Sequence, residues 1–305
     1  MGVSFLDNRK LVKEYMRFLK SQEVLSEPFK DKIGQLNNFY TPLCKKIKKI
    51  YLIKKRTIII GLSGGQGSGK STISKILQIV LKRGLNLETV IFSIDDFYKT
   101  YYERKKISSK ISSLFLTRGV PGTHDTKLLY KCIKNLKKKK FKKIKIPVFD
   151  KSIDDRLSKD KWMIINKKPD VVIFEGWCVG VKAQKKKDLI KPINRLEKLE
   201  DVKKIWRFKV NNEIEKNYKK IFNLIDKLIF LKVPSFRYVL KWRMLQEKKL
   251  RASSKGTKVM NKKEINRFIM FYERLTKHML KNLSKDAYSI IKIDKSHKLK
   301  SIKYN

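Results

Sequence analysis

The segment GGQGSGKS, residues 64–71, constrains the fold of this chain more than any other feature. It matches the pattern G-x-x-x-x-G-K-S/T, in which successive backbone N–H groups and the start of a helix surround anionic phosphates. A short β-branched run, Thr57–Leu62, precedes it, and a segment long enough for a helix, Ser71–Lys82, follows it. A glycine-rich turn between a buried strand and a helix is the context that this motif requires. The sequence therefore predicts a phosphate-binding loop, or P-loop.

The residues of this loop are expected to hold the triphosphate of ATP. Lys70 is predicted to reach the β- and γ-phosphates, and Ser71 to ligate Mg²⁺ through its hydroxyl. Gly65 and Gly67 permit backbone angles and a close approach that a Cβ would block. The alternative, a chance glycine-rich turn, would need neither the strand before it nor the helix after it. The residues predicted to bind ATP are Gly64, Gly65, Gln66, Gly67, Ser68, Gly69, Lys70, Ser71 and Thr72.

Four further short runs share the apolar, β-branched character of the first predicted strand. Segments long enough for crossover helices separate them, and this alternation predicts an α/β protein with a mostly parallel sheet covered on both faces. In such sheets, ligands bind beyond the carboxyl ends of the strands. The expected fold is the three-layer P-loop NTPase fold. The four further predicted strands are Thr89–Ile94, Asp170–Phe174, Lys227–Val233 and Ser289–Ile293.

Three carboxylates follow predicted strands at the edge where the P-loop is expected. Asp95 and Asp96 come at the end of the second strand, and Glu175 follows the apolar residues of the third, which resembles a Walker B element. Acids this close together need a compensating cation, which Mg²⁺ would supply. A hydroxyl that accepts a phosphoryl group also needs a carboxylate to orient and deprotonate it. We therefore expect a kinase with Ser71, Asp95 and Glu175 as metal ligands; the alternative for the two aspartates is an ordinary helix N-cap.

The loop Arg118–Asp125 contains two glycines and a proline that fix its shape, so its polar side chains can point inward. An isolated histidine such as His124 more often has a structural role, but its position after the second strand favours acceptor recognition. Farther along, Lys151 and Arg156 could grip an anionic substrate, the arginine in bidentate fashion on a carboxylate. The residues predicted to contact the acceptor are Asp96, Tyr98, Arg118, His124, Asp125, Lys151 and Arg156.

A basic amphipathic segment late in the chain is predicted to form a helix that closes over ATP. It contains Arg237 and Lys241–Glu247, and it leads into a polar loop, Arg251–Lys258. Its arginines would neutralise charge on the transferring phosphoryl group. The alternative is an ordinary surface helix. The catalytic residues expected overall are Lys70, Asp95, Glu175 and Arg243.

Charge is the most unusual bulk property of this 305-residue chain, which has 76 Lys+Arg against 28 Asp+Glu and a formal net charge of +48. Such a charge ordinarily indicates a polyanionic partner, but the lysines are spread along the whole chain rather than clustered. We therefore do not expect a nucleic-acid partner. Three cysteines without CxxC spacing indicate neither a disulfide framework nor a zinc site, and no apolar run approaches 18 residues. A cytoplasmic location without membrane attachment is expected.

The chain is expected to divide into an N-terminal helical extension and a P-loop kinase domain. Residues 1–50 carry apolar residues at helical spacing, as at Leu11, Tyr15 and Leu19, and are expected to pack on the core. Residues 51–305 contain the predicted strands and all candidate site residues. The sequence carries no signal of oligomeric state.

Six motifs stand together in this chain: GLSGGQGSGKST, SIDDFY, TRGVPGTHD, PVFDKS with DR, VVIFEGWCVG and WRMLQE. Together they resemble the glycerate kinase family of plants, fungi and bacteria, within the larger uridine kinase and pantothenate kinase group of P-loop proteins. The resemblance extends over about residues 38–297. It implies transfer of the γ-phosphate of ATP to D-glycerate, giving 3-phosphoglycerate. It also implies that Asp95 serves as the base and that Asp96 and Glu175 support Mg²⁺ and its waters.

Two other functions stay open. One keeps the fold and changes the acceptor to a nucleoside, pantothenate or another sugar acid, although a cationic pocket around Lys151 and Arg156 favours a small hydroxy acid. The other is a P-loop ATPase that binds nucleic acid through its basic surface. That protein would bind nucleic acid with a steep salt dependence and would hydrolyse ATP without any hydroxyl acceptor.

Overall fold

Strands and helices alternate along the chain as the sequence predicts. The computed structural model describes residues 8–23, 29–253 and 260–305. Its strands are β1 (Ile58–Gly64), β2 (Thr89–Ser93), β3 (Ile144–Ile146), β4 (Phe149–Asp150), β5 (Asp155–Arg156), β6 (Met163–Ile165), β7 (Val171–Gly176), β8 (Lys227–Lys232), β9 (Ser289–Ile293) and β10 (Leu299–Tyr304). Its α-helices are α1 (Arg9–Gln22), α2 (Lys32–Gln35), α3 (Thr41–Lys54), α4 (Lys70–Ile79), α5 (Tyr101–Lys110), α6 (Thr126–Leu136), α7 (Arg195–Leu199), α8 (Ile205–Glu213), α9 (Lys219–Phe222), α10 (Phe236–Ser253) and α11 (Lys262–Asn282).

Six of these strands form the central sheet, in the order β10–β9–β8–β1–β7–β2. The five strands from β9 to β2 in this order are parallel to one another, and β10 runs antiparallel to β9 at the edge. The predicted α/β fold with a mostly parallel sheet is confirmed, and the five predicted strands correspond to β1, β2, β7, β8 and β9. The sequence does not predict β10 or the small pairs β3–β6 and β4–β5. A lysine-bearing edge strand and strands of two or three residues carry too little apolar pattern.

Both faces of the sheet are covered by helices. Along β1, Ile58, Ile60 and Leu62 belong to one apolar cluster, which they share with residues of α1, α3 and α4. Ile59 belongs to a second cluster, formed with residues of α6, α8 and α11. Successive side chains of a strand point to opposite faces, so these two clusters lie on the two sides of the sheet. The predicted three-layer arrangement is therefore confirmed.

The helix α1 packs antiparallel to α4 on one of these faces. Leu11 and Tyr15 are buried four residues apart, the spacing that the predicted helix requires. Asn8 Nδ2, at the start of α1, donates to the carbonyl of Arg83 at 2.7 Å, in the π-helical turn that follows α4. The other end of α1 therefore lies beside the start of α4, and its last residue, Gln22, reaches the P-loop cavity.

Some predicted boundaries differ from those in the structure. The helix α3 runs through residue 50 to Lys54, so the predicted division at residue 50 falls inside a helix, and the two-part division stays a prediction. The predicted helix Ser71–Lys82 is α4 followed by the π-helical turn Val80–Gly84. Of the polar loop predicted over 251–258, residues 251–253 belong to α10, and residues 254–258 lie outside the described residues. None of the described helices has both the length and the apolar character needed to cross a bilayer.

Candidate active site

The predicted phosphate loop and the predicted acids follow three neighbouring strands. β1 leads into the P-loop, Glu175 lies near the end of β7, and Asp95 and Asp96 follow β2. These strands are adjacent in the order β1–β7–β2, and the carboxyl ends of parallel strands meet at one edge of a sheet. A cavity of about 550 Å³ opens at this edge. Its lining includes P-loop residues and all three acids, so the structure brings them together as predicted.

The P-loop has the backbone geometry that its glycines allow. Gly67 and Gly69 have φ angles of +70° and +85°, in the left-handed region that residues with a Cβ rarely adopt. Gly69 directly precedes α4, so the unpaired N–H groups at the start of this helix lie at the cavity, where an anion can bind them. The loop residues that line the cavity are Gln66, Gly67, Gly69, Lys70, Ser71 and Thr72, whereas Gly64, Gly65 and Ser68 are not part of the lining.

The Lys70 side chain is held within the loop. Its Nζ donates to the carbonyl of Gly65 at 3.1 Å. Burial lowers the pKa of the ammonium group, and the nearby carboxylates of Glu175 and Asp95 oppose that shift. A desolvated ammonium is stabilised by additional negative charge, so the site is prepared to bind a phosphate group.

Glu175 faces the P-loop from the neighbouring strand. Ser71 Oγ donates to Glu175 Oε1 at 3.2 Å, and the glutamate is only 7% exposed. Burial raises the pKa of Glu175, while the charge of Lys70 lowers it. A buried carboxylate beside a serine hydroxyl at a phosphate loop suits a divalent cation, because Mg²⁺ takes few protein ligands and completes its shell with waters and phosphate oxygens.

Asp95 is held between two side chains. Lys151 Nζ lies 2.7 Å from one carboxylate oxygen, and the Tyr98 hydroxyl donates to the other at 3.0 Å. Burial is the largest single influence and would raise the pKa of Asp95, but the charge and hydrogen bond of Lys151, helped by His124 and the Tyr98 hydroxyl, lower it to about 2. Asp95 is therefore ionised across the physiological pH range.

Asp96 lines the same cavity and also stabilises the turn that carries it. Its Oδ2 accepts the N–H of Ser93 at 2.8 Å, which closes a capping box on the 3₁₀ turn Ile94–Phe97. Burial raises the pKa of Asp96 to about 6. The alternative for the two aspartates was a helix N-cap, but the N-cap of this turn is Ser93 and that of α5 is Thr100. Asp96 completes the capping box from the third position of the turn and also lines the cavity.

The residues present fit Mg²⁺ bound together with phosphate, and they do not build a cage of protein ligands. Within residues 8–23, 29–253 and 260–305, no group of three or more His, Cys, Asp or Glu side chains could hold a metal ion alone. Ser71 and Glu175 are already in contact, whereas Asp95 is bound to Lys151. The ligand set Ser71, Asp95 and Glu175 stays a prediction.

His124 is buried behind Tyr98. The two rings stack with their centroids 4.4 Å apart, and His124 is 1% exposed. Its Nδ1 lies 2.6 Å from the hydroxyl oxygen of Tyr218, which also accepts the N–H of Gly122. Nδ1 and the Tyr218 hydroxyl therefore share a hydrogen bond, and burial lowers the pKa of His124 to about 3, so the ring is neutral. It does not line the cavity, and its predicted contact with the acceptor stays a prediction.

Three other charged residues predicted to bind the acceptor also make internal contacts. Arg156 donates to the carbonyl of Tyr98 through Nε and Nη2, at 3.1 and 2.7 Å, and its Nη1 lies 3.6 Å from Asp125. Asp125 caps α6, and Arg118 pairs with Asp154. None of Arg118, Asp125 and Arg156 lines the cavity, so the contacts that the structure shows for them hold the loops around Tyr98.

Several residues that line the cavity are not among the site residues predicted from the sequence. Phe149 and Trp177 belong to the motifs FDKS and EGW, which also contain the predicted residues Lys151 and Glu175. Their position in these motifs could have indicated that they line the site. Gln22 and His297 come from α1 and the turn between β9 and β10, and no local pattern links either residue to a phosphate loop. Trp242 belongs to α10, within the segment predicted to form a helix over ATP. The predicted catalytic residue Arg243 also lines the cavity, with its guanidinium 5.5 Å from the centre of the Phe268 ring.

A P-loop that faces carboxylates across the carboxyl edge of a parallel sheet defines a class, the P-loop nucleotide-binding proteins. The Phosphoribulokinase / Uridine kinase family matches residues 59–239, which is more than half of the chain. The chain belongs to this family. Membership implies a phosphotransferase that uses ATP.

Individual relatives agree with the glycerate kinase-like membership that the motifs predict. Uncharacterized kinase mug58 of Schizosaccharomyces pombe is 34% identical over 226 residues, 71% of this chain and 79% of the relative. The chloroplastic D-glycerate 3-kinase of Arabidopsis thaliana is 30% identical over 223 residues, 70% of this chain and 46% of that protein. The solved structure of the YGR205w protein superposes with a TM-score of 0.71 at 26% identity, over 88% of this chain and 97% of that one. The predicted family is confirmed.

Proposed function

We propose that the protein transfers the γ-phosphate of ATP to a hydroxyl of D-glycerate, giving 3-phosphoglycerate and ADP. The observation that carries this proposal is the position of Asp95: an ionised carboxylate in the P-loop cavity, held by Tyr98 on one oxygen and by Lys151 on the other. The relative named D-glycerate 3-kinase supports the choice of acceptor.

Asp95 has the properties of the group that orients the acceptor. Its oxygen accepts a hydrogen bond from the acceptor hydroxyl, whose oxygen forms a bond to the γ-phosphorus while the bond to the β–γ bridging oxygen breaks. The hydroxyl proton passes to Asp95 and then to solvent. With its low pKa Asp95 is a weak base, so its main contribution is orientation, which is the larger need in phosphoryl transfer.

Lys70 and Arg243 supply positive charge on the phosphate side of the same cavity. A cation that is already in place when negative charge moves to the leaving oxygen lowers the barrier without reorganising solvent. Ser71 and Glu175 are the protein groups that would hold Mg²⁺, which would supply positive charge against the phosphate groups. Trp177 and Phe149 help to enclose the cavity, which excludes water that would compete with the acceptor.

Lys151 provides a reason to favour an acidic acceptor. Its side chain is 59% exposed and its ammonium group has three donors, so it can keep its bond to Asp95 and also bind a carboxylate of the substrate. This leads to a direct prediction. The variant Lys151→Gln should raise the KM for D-glycerate about tenfold or more, because a charge-assisted hydrogen bond is lost, and should change the KM for ATP little. The exposed residue Lys145, outside the cavity, gives the matched control Lys145→Gln.

The test of the function is a coupled assay of ADP release with Mg-ATP and one acceptor at a time: D-glycerate, L-glycerate, uridine, pantothenate or no acceptor. We expect release to depend on D-glycerate, with the product identified as 3-phosphoglycerate. Turnover with uridine or pantothenate alone would move the protein to another acceptor class within the same fold. Hydrolysis that no acceptor stimulates would remove the kinase proposal.

A further inference from the structure

Lysines from three separate stretches of the chain meet at the edge of the sheet opposite the P-loop cavity. These stretches are residues 51–57, before β1, residues 137–145, after α6, and residues 166–170, before β7. Twelve of their 21 residues are Lys or Arg, against 76 of 305 in the whole chain. The P-loop and the acids follow β1, β7 and β2, so stretches that precede β1 and β7 lie at the amino ends of these parallel strands.

Hydrogen bonds hold the three stretches against one another. Thr57 Oγ1 donates to the carbonyl of Pro169 at 2.7 Å, which joins the first stretch to the third. Lys168 Nζ donates to the carbonyl of Lys139 at 3.3 Å, which joins the third stretch to the second. Lysine runs that are far apart in the sequence therefore form one surface, which we call the basic edge. It consists of Lys54, Lys55, Lys138, Lys139, Lys140, Lys142, Lys143, Lys167 and Lys168.

The carboxylates at this edge are already bound to other groups. Asp226 pairs with Arg56 at 2.6 Å and with Lys137 at 3.1 Å. Asp170 accepts the hydroxyl of Tyr51 at 2.6 Å. Eight of the nine lysines of the basic edge are exposed. The basic edge thus presents positive charge that these acids do not neutralise, and an anionic partner would relieve the repulsion among the lysines.

Exposed aliphatic side chains adjoin these lysines. Leu52 and Ile53, 57% and 69% exposed, lie in the last turn of α3, directly before the first two lysines of the basic edge. Ile164, 43% exposed, pairs with the exposed Lys145 across the strands β6 and β3. An aliphatic side chain gains about 25 cal/mol for each Å² that it buries in hydrocarbon, and it gains nothing from phosphate groups. The partner should therefore offer an apolar phase as well as negative charge.

This combination fits an anionic membrane surface better than a nucleic acid. Surfaces that bind nucleic acids favour arginine, which contacts phosphates and bases in bidentate fashion, and aromatic rings that stack on bases. The three stretches contain eleven lysines and one arginine, and the apolar side chains exposed beside them are aliphatic. Basic residues next to exposed aliphatic side chains are typical of surfaces that lie on lipid head groups.

We propose that the basic edge binds the surface of a bilayer that contains anionic lipids, with its lysines at the head groups and with Leu52 and Ile53 entering the interface. The P-loop cavity lies at the opposite edge of the sheet, so it faces the solvent in the bound state and stays open to ATP and the acceptor. The proposal is independent of which acceptor the protein phosphorylates.

The test is co-sedimentation of the full-length protein with vesicles of phosphatidylcholine and phosphatidylserine, and with vesicles of phosphatidylcholine alone. We expect binding to the mixed vesicles only, and weaker binding as the salt concentration rises. Replacing lysines 138–140 together by Gln should weaken this binding about a hundredfold, because each lysine near an anionic leaflet contributes about 1 kcal/mol. The matched control replaces the exposed lysines 185–187, outside the basic edge, by Gln and should change the binding little.

A second variant tests the aliphatic side chains. Leu52→Ser combined with Ile53→Ser should weaken binding to the mixed vesicles about tenfold and leave binding to a single-stranded oligouridine unchanged. The matched control combines Ile190→Ser with Leu199→Ser, which changes exposed aliphatic residues elsewhere and should bind vesicles as the wild type does. All substituted side chains are exposed, so each variant should keep the wild-type denaturation midpoint, which separates loss of binding from loss of folding.

Three results would overturn the proposal. The first is a wild-type protein that does not bind the mixed vesicles even at low salt. The second is an equal loss of vesicle binding in the 138–140 and 185–187 variants, which would show that the charge acts without regard to its position. The third is tighter binding to oligouridine than to mixed vesicles, lost in the 138–140 variant and kept in the aliphatic variant, which would assign the basic edge to a nucleic acid. Each of these leaves the kinase function, measured by ADP release without vesicles, untouched.

Discussion

Tyr98 contacts a charged pair through its hydroxyl and a neutral histidine through its ring, although the sequence motifs that supply these residues are all rich in polar side chains. In front, the hydroxyl of Tyr98 bonds to Asp95, which pairs with the exposed Lys151 at the cavity. Behind, its ring stacks on His124, which is neutral, buried and bonded to Tyr218. The comparison teaches that polar residues in a motif divide into those that face the ligand and those that hold the facing residues in place.

The largest effect is expected on turnover, from the loss of the charge of Asp95 in front of Tyr98. The variant Asp95→Asn keeps the shape and both neighbours of the carboxylate but removes its charge, so turnover with D-glycerate should fall at least about a hundredfold. Steady-state kcat measures this, with Asp188→Asn, an exposed aspartate outside the cavity, as the matched control. Near-normal turnover in Asp95→Asn would show that the acceptor is oriented by another group.

Behind Tyr98 the expected effect is on stability. The variant His124→Ala removes a buried ring and leaves the Tyr218 hydroxyl without this hydrogen-bond partner, so the free energy of unfolding should fall by about 2–3 kcal/mol. Denaturant titration measures this change. The KM for the acceptor should stay close to the wild-type value if His124 only supports Tyr98. A raised KM with unchanged stability would instead place His124 in contact with the acceptor, as the sequence predicts.

Tyr98 itself joins the two sides, and its hydroxyl can be removed separately from its ring. The variant Tyr98→Phe keeps the stacking on His124 and deletes the hydrogen bond to Asp95. Turnover should fall by up to about tenfold, since one hydrogen bond to a charged group is lost, while the denaturation midpoint changes little. A clearly lowered denaturation midpoint with near-normal turnover would instead show that the hydroxyl mainly stabilises the fold.

The smallest effect concerns the pH dependence of stability at Asp96. Burial raises its pKa from 3.8 to about 6 in the folded protein. Between these pH values the folded state keeps a proton that the unfolded state has lost, so the contribution of Asp96 to stability should decrease as the pH rises through this window. Asp96→Asn still accepts the N–H of Ser93 but cannot titrate. The unfolding free energy of the wild type, relative to this variant, should therefore decrease from pH 4 to pH 6; a flat or rising difference would contradict the raised pKa.

The local sequence pattern was sufficient to predict those elements whose structure requires particular residues in consecutive positions. The run TIIIGL followed by a glycine-rich turn and a helix predicted β1, the P-loop and α4, because a buried parallel strand and a phosphate loop each need particular residues in consecutive positions. The acids after β2 and β7 were predicted to lie together because parallel strands share one carboxyl edge. The small hairpins and the edge strand β10 were missed, since their short or polar strands have no such requirement.

By itself, the sequence determined the fold class, the phosphate loop, the family and the three acids of the cavity, because all of these follow from residues that are close in the chain or from the rule that orders parallel strands. Only the tertiary structure decided which polar residues face the cavity. Arg156 turned to the carbonyl of Tyr98, His124 packed behind the Tyr98 ring, and Gln22 and His297, 275 residues apart, came to the same P-loop. The direction of a side chain depends on which partners are nearest after folding. When those partners are far apart in the chain, no local sequence pattern predicts the contact.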